Sequence, residues 1–190
     1  MMTETAPITS PRREELLERA YRYVLDRGLA GMSLRPLATE IGSSPRVLLF
    51  LFGSKDGLVR ALLARARADE LAFLARIPIA EEASLARVGT EVWRWLVAPE
   101  HRGLLTLWTE SYARSLIEPD GPWAGFAAAT VRDWLALLAH AQPRQERSTS
   151  DGEARRTLVL AVLRGALLDL LATGDMTRTT RAVDRALHAA

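Results

Sequence analysis

Lys55 is the only lysine in a chain whose other basic residues are all arginine. It follows Ser54, and serine is a preferred helix N-cap. A cation in the first turn of a helix opposes the helix dipole, so Lys55 is a poor choice for stability. A phosphate oxygen would pair with both the ammonium and the free amides of the helix start. The plain alternative is a solvated surface lysine. Arg46 sits in a second helix start, Ser44-Pro45-Arg46, and Arg35 follows Ser33, a third cap residue. Arginine in the first turn of a short helix can grip guanine by two hydrogen bonds, or hold a phosphate. The alternative is a surface arginine in an arginine-rich chain. Pro45 and Val47 offer apolar contact to a thymine methyl group.

Five apolar residues run from Leu48 to Phe52. Such a run, bounded by glycine, could be a buried strand. Helix-start signals at both ends, Ser44-Pro45 and Ser54-Lys55, argue for a short helix instead. Leu48 and Phe52 then share one face and belong to a core. Leu49 and Phe50 fall on other faces of a small head. They either pack on a neighbouring helix or lie exposed against DNA sugars.

A second set of residues suits an apolar ligand. Trp93, Trp95, Trp108, Tyr112, Trp123, Phe126 and Trp134 cluster in the later part of the chain. Large aromatics fill cores by default, but they also line ligand pockets in which a few polar groups fix orientation. His101, Glu110, Ser111 and Arg114 are candidates for that polar role. The expected pocket residues are Leu71, Leu74, Trp93, His101, Trp108, Ser111, Tyr112, Trp123, Phe126 and Trp134.

Catalytic chemistry has little support. The three histidines, His101, His140 and His188, share no ligand spacing with carboxylates, and no nucleophile motif or glycine-rich phosphate loop occurs. Without cysteine there is no disulfide or thiolate site. We expect no enzyme activity, no metal and no cofactor.

The elements that must position these residues read as helices. At 48% apolar and 25% charged the 190-residue chain is globular, and its leucine and alanine content with few β-branched residues favours an all-α fold. Net charge is only +2, so charge alone does not announce nucleic acid. The first residues lack the basic and apolar segments of a signal peptide. The longest apolar stretch, Leu158 to Ala172, is interrupted by Arg164 and Asp169 and is too short for a bilayer. A soluble, cytoplasmic protein with no membrane partner is expected.

Ser10-Pro11 starts a first helix, ended at Gly28. Ser33 caps a short helix to about Ile41, and Gly42 permits a turn into the Ser44 helix, which ends near Gly53. Ser54 caps a long helix to about Ile77, stopped by Pro78. Further helices are expected at about 81–98, 101–117, 122–141, 151–173 and 177–188, nine in all. Ser150 and Glu153 suggest a capping box, and the loop 142–152 is polar and expected to be mobile. The helix 151–173 is apolar on nearly every face, so it needs burial on both sides. Gly165 and Ala166 allow close approach. With 177–188 it would form a symmetric four-helix interface between two copies, a central core helix of a monomer being the alternative.

From Met32 to Leu63 the chain resembles the DNA-binding segment of the TetR (tetracycline repressor) family. Ser33, Leu34, Arg35, Leu37, Ala38, Gly42, Ser44, Leu48, Phe52, Ser54, Lys55 and Asp56 fall on that family's pattern, without a gap from Gly42 to Lys55. The match covers about residues 10–63; the rest agrees only in length and in helix number and order. The resemblance implies a three-helix head, 1–53, completed by the next helix to about 60. A ligand-binding and dimerisation domain, 54–190, would follow. It implies a homodimeric regulator, usually a repressor, that reads a palindromic operator in double-stranded DNA and is released by a small hydrophobic effector. The DNA-binding residues so implied are Arg35, Ser44, Pro45, Arg46, Val47, Leu49, Phe50 and Lys55. The effector is expected to displace the long helix around Leu71 to Leu74. Two positions depart from the family: Leu49 replaces a tyrosine that contacts phosphate, and Leu51 replaces a histidine or tyrosine. Lost phosphate contacts imply weaker DNA affinity, unless Arg46 and the amides at Ser44 compensate. A helical ligand-binding or scaffold protein with weakened or lost DNA binding is the alternative.

Overall fold

The computed structural model describes residues 10–77, 84–118 and 120–189. Among them are nine α-helices, one short 3-10 helix and no strand. The helices are α1 (Pro11–Arg27), α2 (Leu34–Glu40), α3 (Pro45–Phe52), α4 (Lys55–Leu74), α5 (Leu85–Val97), α6 (Arg102–Ile117), α7 (Phe126–His140), α8 (Ser150–Thr173) and α9 (Met176–Ala189). The all-α expectation and the helix count hold. No helix of the described residues is long and apolar enough to cross a membrane.

The first four helices start where their cap residues stand. Ser10, Ser44 and Ser54 each accept a backbone N–H through the hydroxyl, from Arg13, Val47 and Gly57. Losing such a cap costs about 1 kcal/mol. Ser33 precedes α2 in extended backbone, but its hydroxyl makes no capping bond. Gly42, at φ 67°, turns the chain from α2 into α3. That left-handed conformation strains any residue with a Cβ.

Several boundaries differ from expectation. The long helix ends at Leu74, and Ala75 to Ile77 form a turn. Pro78 and the expected helix start at 81 lie outside the described residues. The helix expected at 122–141 begins at Phe126, because Gly125 at φ 72° closes a run of turns from Asp120. At α8 the cap is Thr149, whose Oγ1 accepts from Gly152, so Ser150 is already helical. The loop expected to be mobile is tied down. Gln142 is 1% exposed, donates to the Gly152 carbonyl and accepts from Arg156, while Arg147 donates to the carbonyls of His140 and Gln142.

Two hydrophobic clusters hold the molecule. One joins α1 to α4 and takes in Leu107, Trp123 and Phe126 from the later half. The other is built from α5, α7, α8 and α9 with Leu74, Ile77 and Leu105. Trp108 packs against both. Trp93, 2% exposed, anchors the second cluster, and its indole N–H donates to Thr180 of α9 at 3.0 Å. Truncating such a residue to alanine costs about 3–5 kcal/mol.

Candidate functional site

The first candidate surface is the outer face of α3. Leu48 and Phe52 are 1% and 8% exposed and root the helix in the head core. The Arg13 guanidinium carbon stands 4.9 Å from the Phe52 ring centre. The opposite face is open. Phe50 is 85% exposed, Leu49 41% and Val47 37%. Arg46 is exposed on the same face, since residues three and four apart are neighbours on a helix. Of the apolar run, Leu49 and Phe50 stand outside the head core and are exposed, while Leu51 is half-buried against it.

Lys55 and Arg35 are also exposed. Among the described residues, neither they nor Arg46 forms an ion pair or a side-chain hydrogen bond, whereas Arg12, Arg19 and Arg27 of the head pair with carboxylates. Pro45 and Ser44 are half-exposed at the start of α3, with the Ser44 hydroxyl occupied by its cap at 3.3 Å. The result is an apolar ridge with unpaired cations beside it, at the starts of α3 and α4. Such a surface can take phosphate at its edges and base edges at its centre.

The head is fastened to the rest by specific contacts. Tyr21 of α1 donates to Asp69 of α4 at 2.9 Å, and Arg65 bridges Glu18 and Asp69. Gly103 of α6 lies against the α1 backbone: a Cβ there would stand 2.5 Å from the Leu25 carbonyl oxygen. Glu110 of α6 accepts the Leu29 N–H at 2.9 Å, just beyond the end of α1.

The second candidate site is a narrow cavity of about 40 Å³ between α4, α5, α6, α7 and α8. Trp95, Trp108, Phe126 and Trp134 supply aromatic walls, and leucines of α6 and α8 supply aliphatic ones. The polar side chains on its lining are Glu70, Ser111 and Arg164. The Ser111 hydroxyl is taken by the Leu107 carbonyl at 2.6 Å. The Arg164 guanidinium donates to the Tyr112 hydroxyl at 2.9 Å and lies 5.3 Å from its ring centre. A space this small holds a few waters and no drug-sized molecule, so a larger ligand must part the walls.

Glu70 is the unusual member. It is 4% exposed, yet carries a carboxylate. Trp134 donates its indole N–H to Oε1, while Oε2 is buried with no partner. Burial pushes its pKa up to about 7; the Trp134 bond and Arg67 pull it down, and Asp133 pushes it up. Arg67 and Asp133 are themselves an ion pair.

Of the expected pocket residues, Trp108, Ser111, Phe126 and Trp134 meet at this cavity. The others do not line it. Trp93 is core, and Leu74 is buried in the second cluster. Leu71 is 41% exposed. His101 stacks on Trp95 with ring centres 4.2 Å apart and donates from Nδ1 to the Trp95 carbonyl. Tyr112 stands behind Arg164, and Trp123 lies in the head cluster under Arg114. Of the two polar candidates left, Glu110 faces α1 and Arg114 pairs with Glu118. Leu71 and Leu74, where the displacement is expected, do not line this cavity; α4 touches it earlier, at Ala66 and Glu70.

Arg164 and Glu70, which line the cavity, were missed, and Trp95 stood in the aromatic set but not among the expected pocket residues. A signal for Glu70 did exist. Leu62, Ala66, Glu70 and Leu74 recur every fourth residue, so a carboxylate interrupts the apolar face of α4.

No family profile and no curated relative matches the sequence. Solved structures do. A transcriptional regulator from Rhodococcus sp. Rha1 aligns with a TM-score of 0.75 at 21% identity, over 93% of this chain and 94% of that one. A TetR-family member from Streptomyces coelicolor A3 aligns at 0.69 with 26% identity, over 94% and 98%. The multidrug binding protein EbrR, complexed with ethidium, aligns at 0.71 with 26% identity, over 93% and 97%.

Proposed function

We propose that the chain, whose fold matches that of solved TetR-family regulators, is a ligand-responsive, DNA-binding transcriptional regulator acting in the cytoplasm as a repressor. The observation that carries the reading is the pairing of two surfaces in one chain. One is the open face of α3 with unpaired Arg46 and Lys55 beside it. The other is the aromatic cavity that borders both α4 and α6. The alternative, a binding or scaffold protein without DNA function, leaves an 85% exposed Phe50 without a use.

In this reading α3 enters the major groove. Arg46, Val47, Leu49 and Phe50 meet bases and sugars, with Pro45 at the groove edge. Lys55, Arg35 and the amides at Ser44 hold phosphates. Apolar contact at Leu49 replaces the uncharged phosphate contact of the family's tyrosine, which lowers affinity and leaves the salt dependence to the arginines and Lys55. The residues up to about 60 form the reading head, and the remainder binds effector and partner.

Two heads on a palindromic site require a dimer. The exposed face of α8 carries Ala154, Leu158, Ala161, Gly165, Leu168 and Ala172, alternately four and three residues apart, and all exposed. That is the seam spacing of packed helices. A Cβ on Gly165 would meet nothing within 4 Å, so a second backbone has room to approach. Leu158, Val162 and Ala186 flank a groove between α8 and α9 that a partner's side chains fit.

An effector that parts α6 from α8 moves α6. Because Gly103 and Glu110 brace α6 against α1, the head moves with it, and the spacing of two heads changes. Only a ligand that prefers the opened state shifts this equilibrium.

The test is operator selection from genomic DNA followed by a salt titration. Binding should weaken steeply with salt, and Lys55→Ala should reduce the slope by about one. Arg46→Ala should cost about 1–3 kcal/mol on the selected sequence and less on random DNA. Unchanged affinity and slope in both variants would remove the DNA assignment.

A further inference from the structure

The outer face of α3 carries almost nothing that hydrogen-bonds. The helix reads Pro-Arg-Val-Leu-Leu-Phe-Leu-Phe, so Arg46 is its only polar side chain. The hydroxyls around it are engaged or turned in. Ser44 caps α3, Ser54 caps α4, the Ser43 Oγ is buried, and Thr39 of α2 donates to the Arg35 carbonyl. Reading adenine takes an asparagine or glutamine, and reading the cytosine amine takes a carboxylate. α3 has neither. It has Val47 and Phe50, three residues apart and on one face with Arg46, and Leu49 beside them. Phe50, at 85%, is the most exposed large hydrophobic residue among the described residues.

One base-edge feature of the major groove is apolar, the C5-methyl group of thymine. We propose that the chain selects its operator chiefly through thymine methyl groups, which Phe50 and Val47 cover in each half-site, while Arg46 fixes the register on one guanine. This rests on the reading of α3 as the helix in the groove, and it adds what that helix selects. Lys55 and Arg35 stand exposed at the starts of α4 and α2, outside the ridge. Cations so placed suit the phosphates of the groove walls, which leaves the ridge over the floor, where the bases show their edges. The ridge also rejects. An adenine or cytosine amine turned toward Phe50 would lose its water and gain no partner. An A·T pair is therefore favoured in the orientation that points thymine at Phe50.

The experiment is fluorescence anisotropy of the whole chain on its selected operator, made either with thymine or with deoxyuridine in its place. Deoxyuridine keeps every hydrogen-bonding group and removes only the methyl. A buried methyl is worth about fourfold, so losing one in each half-site should weaken binding at least about tenfold. The same two duplexes are then titrated with the double variant Phe50→Ala, Val47→Ala, at lower salt to keep binding measurable. Their affinities should now agree within about threefold. Lys55→Ala, which acts on phosphate, should keep the parent's preference for thymine. A thermal unfolding curve checks that the double variant is folded. Equal affinity of the parent for both duplexes overturns the methyl reading while the DNA assignment stands. A preference for thymine that survives in the double variant overturns it too, because the methyl then acts through the shape of the duplex. No binding to any duplex removes the DNA assignment, and this inference with it.

Discussion

A carboxylate 4% exposed among tryptophans is held at a cost to the fold, and Glu70 makes that cost measurable. Its pKa is pushed from 4.5 to about 7 by burial. Below both values the side chain is protonated whether the chain is folded or not, and nothing is lost. Between them the folded state keeps a proton that the unfolded state has released, so stability falls as pH rises. Above about 7 the full penalty stands, on the order of 3 kcal/mol from that shift. Glu70→Gln should therefore melt with the parent near about pH 4.5 and several degrees above it near about pH 8. Equal melting temperatures at the higher pH would mean the carboxylate is not desolvated in solution. At this scale the sequence was only partly legible. Serine caps were readable because they act on their own neighbours, as Ser44 and Ser54 do. Trp93 and Trp95 were not separable. Two residues apart on a helix, they point to nearly opposite sides, and which side meets the cavity is decided by α9, whose Thr180 takes the Trp93 N–H.

The elements were legible where their ends are local and illegible where packing sets them. The starts of α1, α3 and α4 follow from Ser-Pro and Ser-Lys pairs. The late start of α7 follows from a turn whose Trp123 is drawn into the head cluster, a contact far away in sequence. The α3–α4 joint depends on one absent side chain. A Cβ on Gly57 would stand 2.0 Å from the Phe52 carbonyl oxygen, so the two helices close only over glycine. Gly57→Ala, though better for helix propensity, should cost about 1–3 kcal/mol and re-aim α3. Operator affinity measured by fluorescence anisotropy should drop at least about tenfold. Full operator affinity in this variant would show that the joint tolerates rearrangement.

For the whole molecule, the seam on α8 was readable as an excess of apolar residues, but not as a face. Only the fold shows that Val159, Leu160, Leu163, Leu167 and Leu170 turn inward while Leu158 and Leu168 stay out, at 53% and 49% exposure. Replacing both Leu158 and Leu168 by glutamate should convert a dimer to a folded monomer in sedimentation. It should weaken binding to a palindromic operator by about a hundredfold, since two linked heads gain from effective concentration. A parent chain that sediments as a monomer would dispose of the interface. One last consequence concerns reagents rather than forces. The sequence contains a single ε-amine, that of Lys55, and the fold sets it exposed beside the reading helix. An amine-selective acylating reagent thus has one lysine address on this protein, on the surface assigned to DNA, so a covalent label on that lysine becomes a direct reporter of whether the surface is covered.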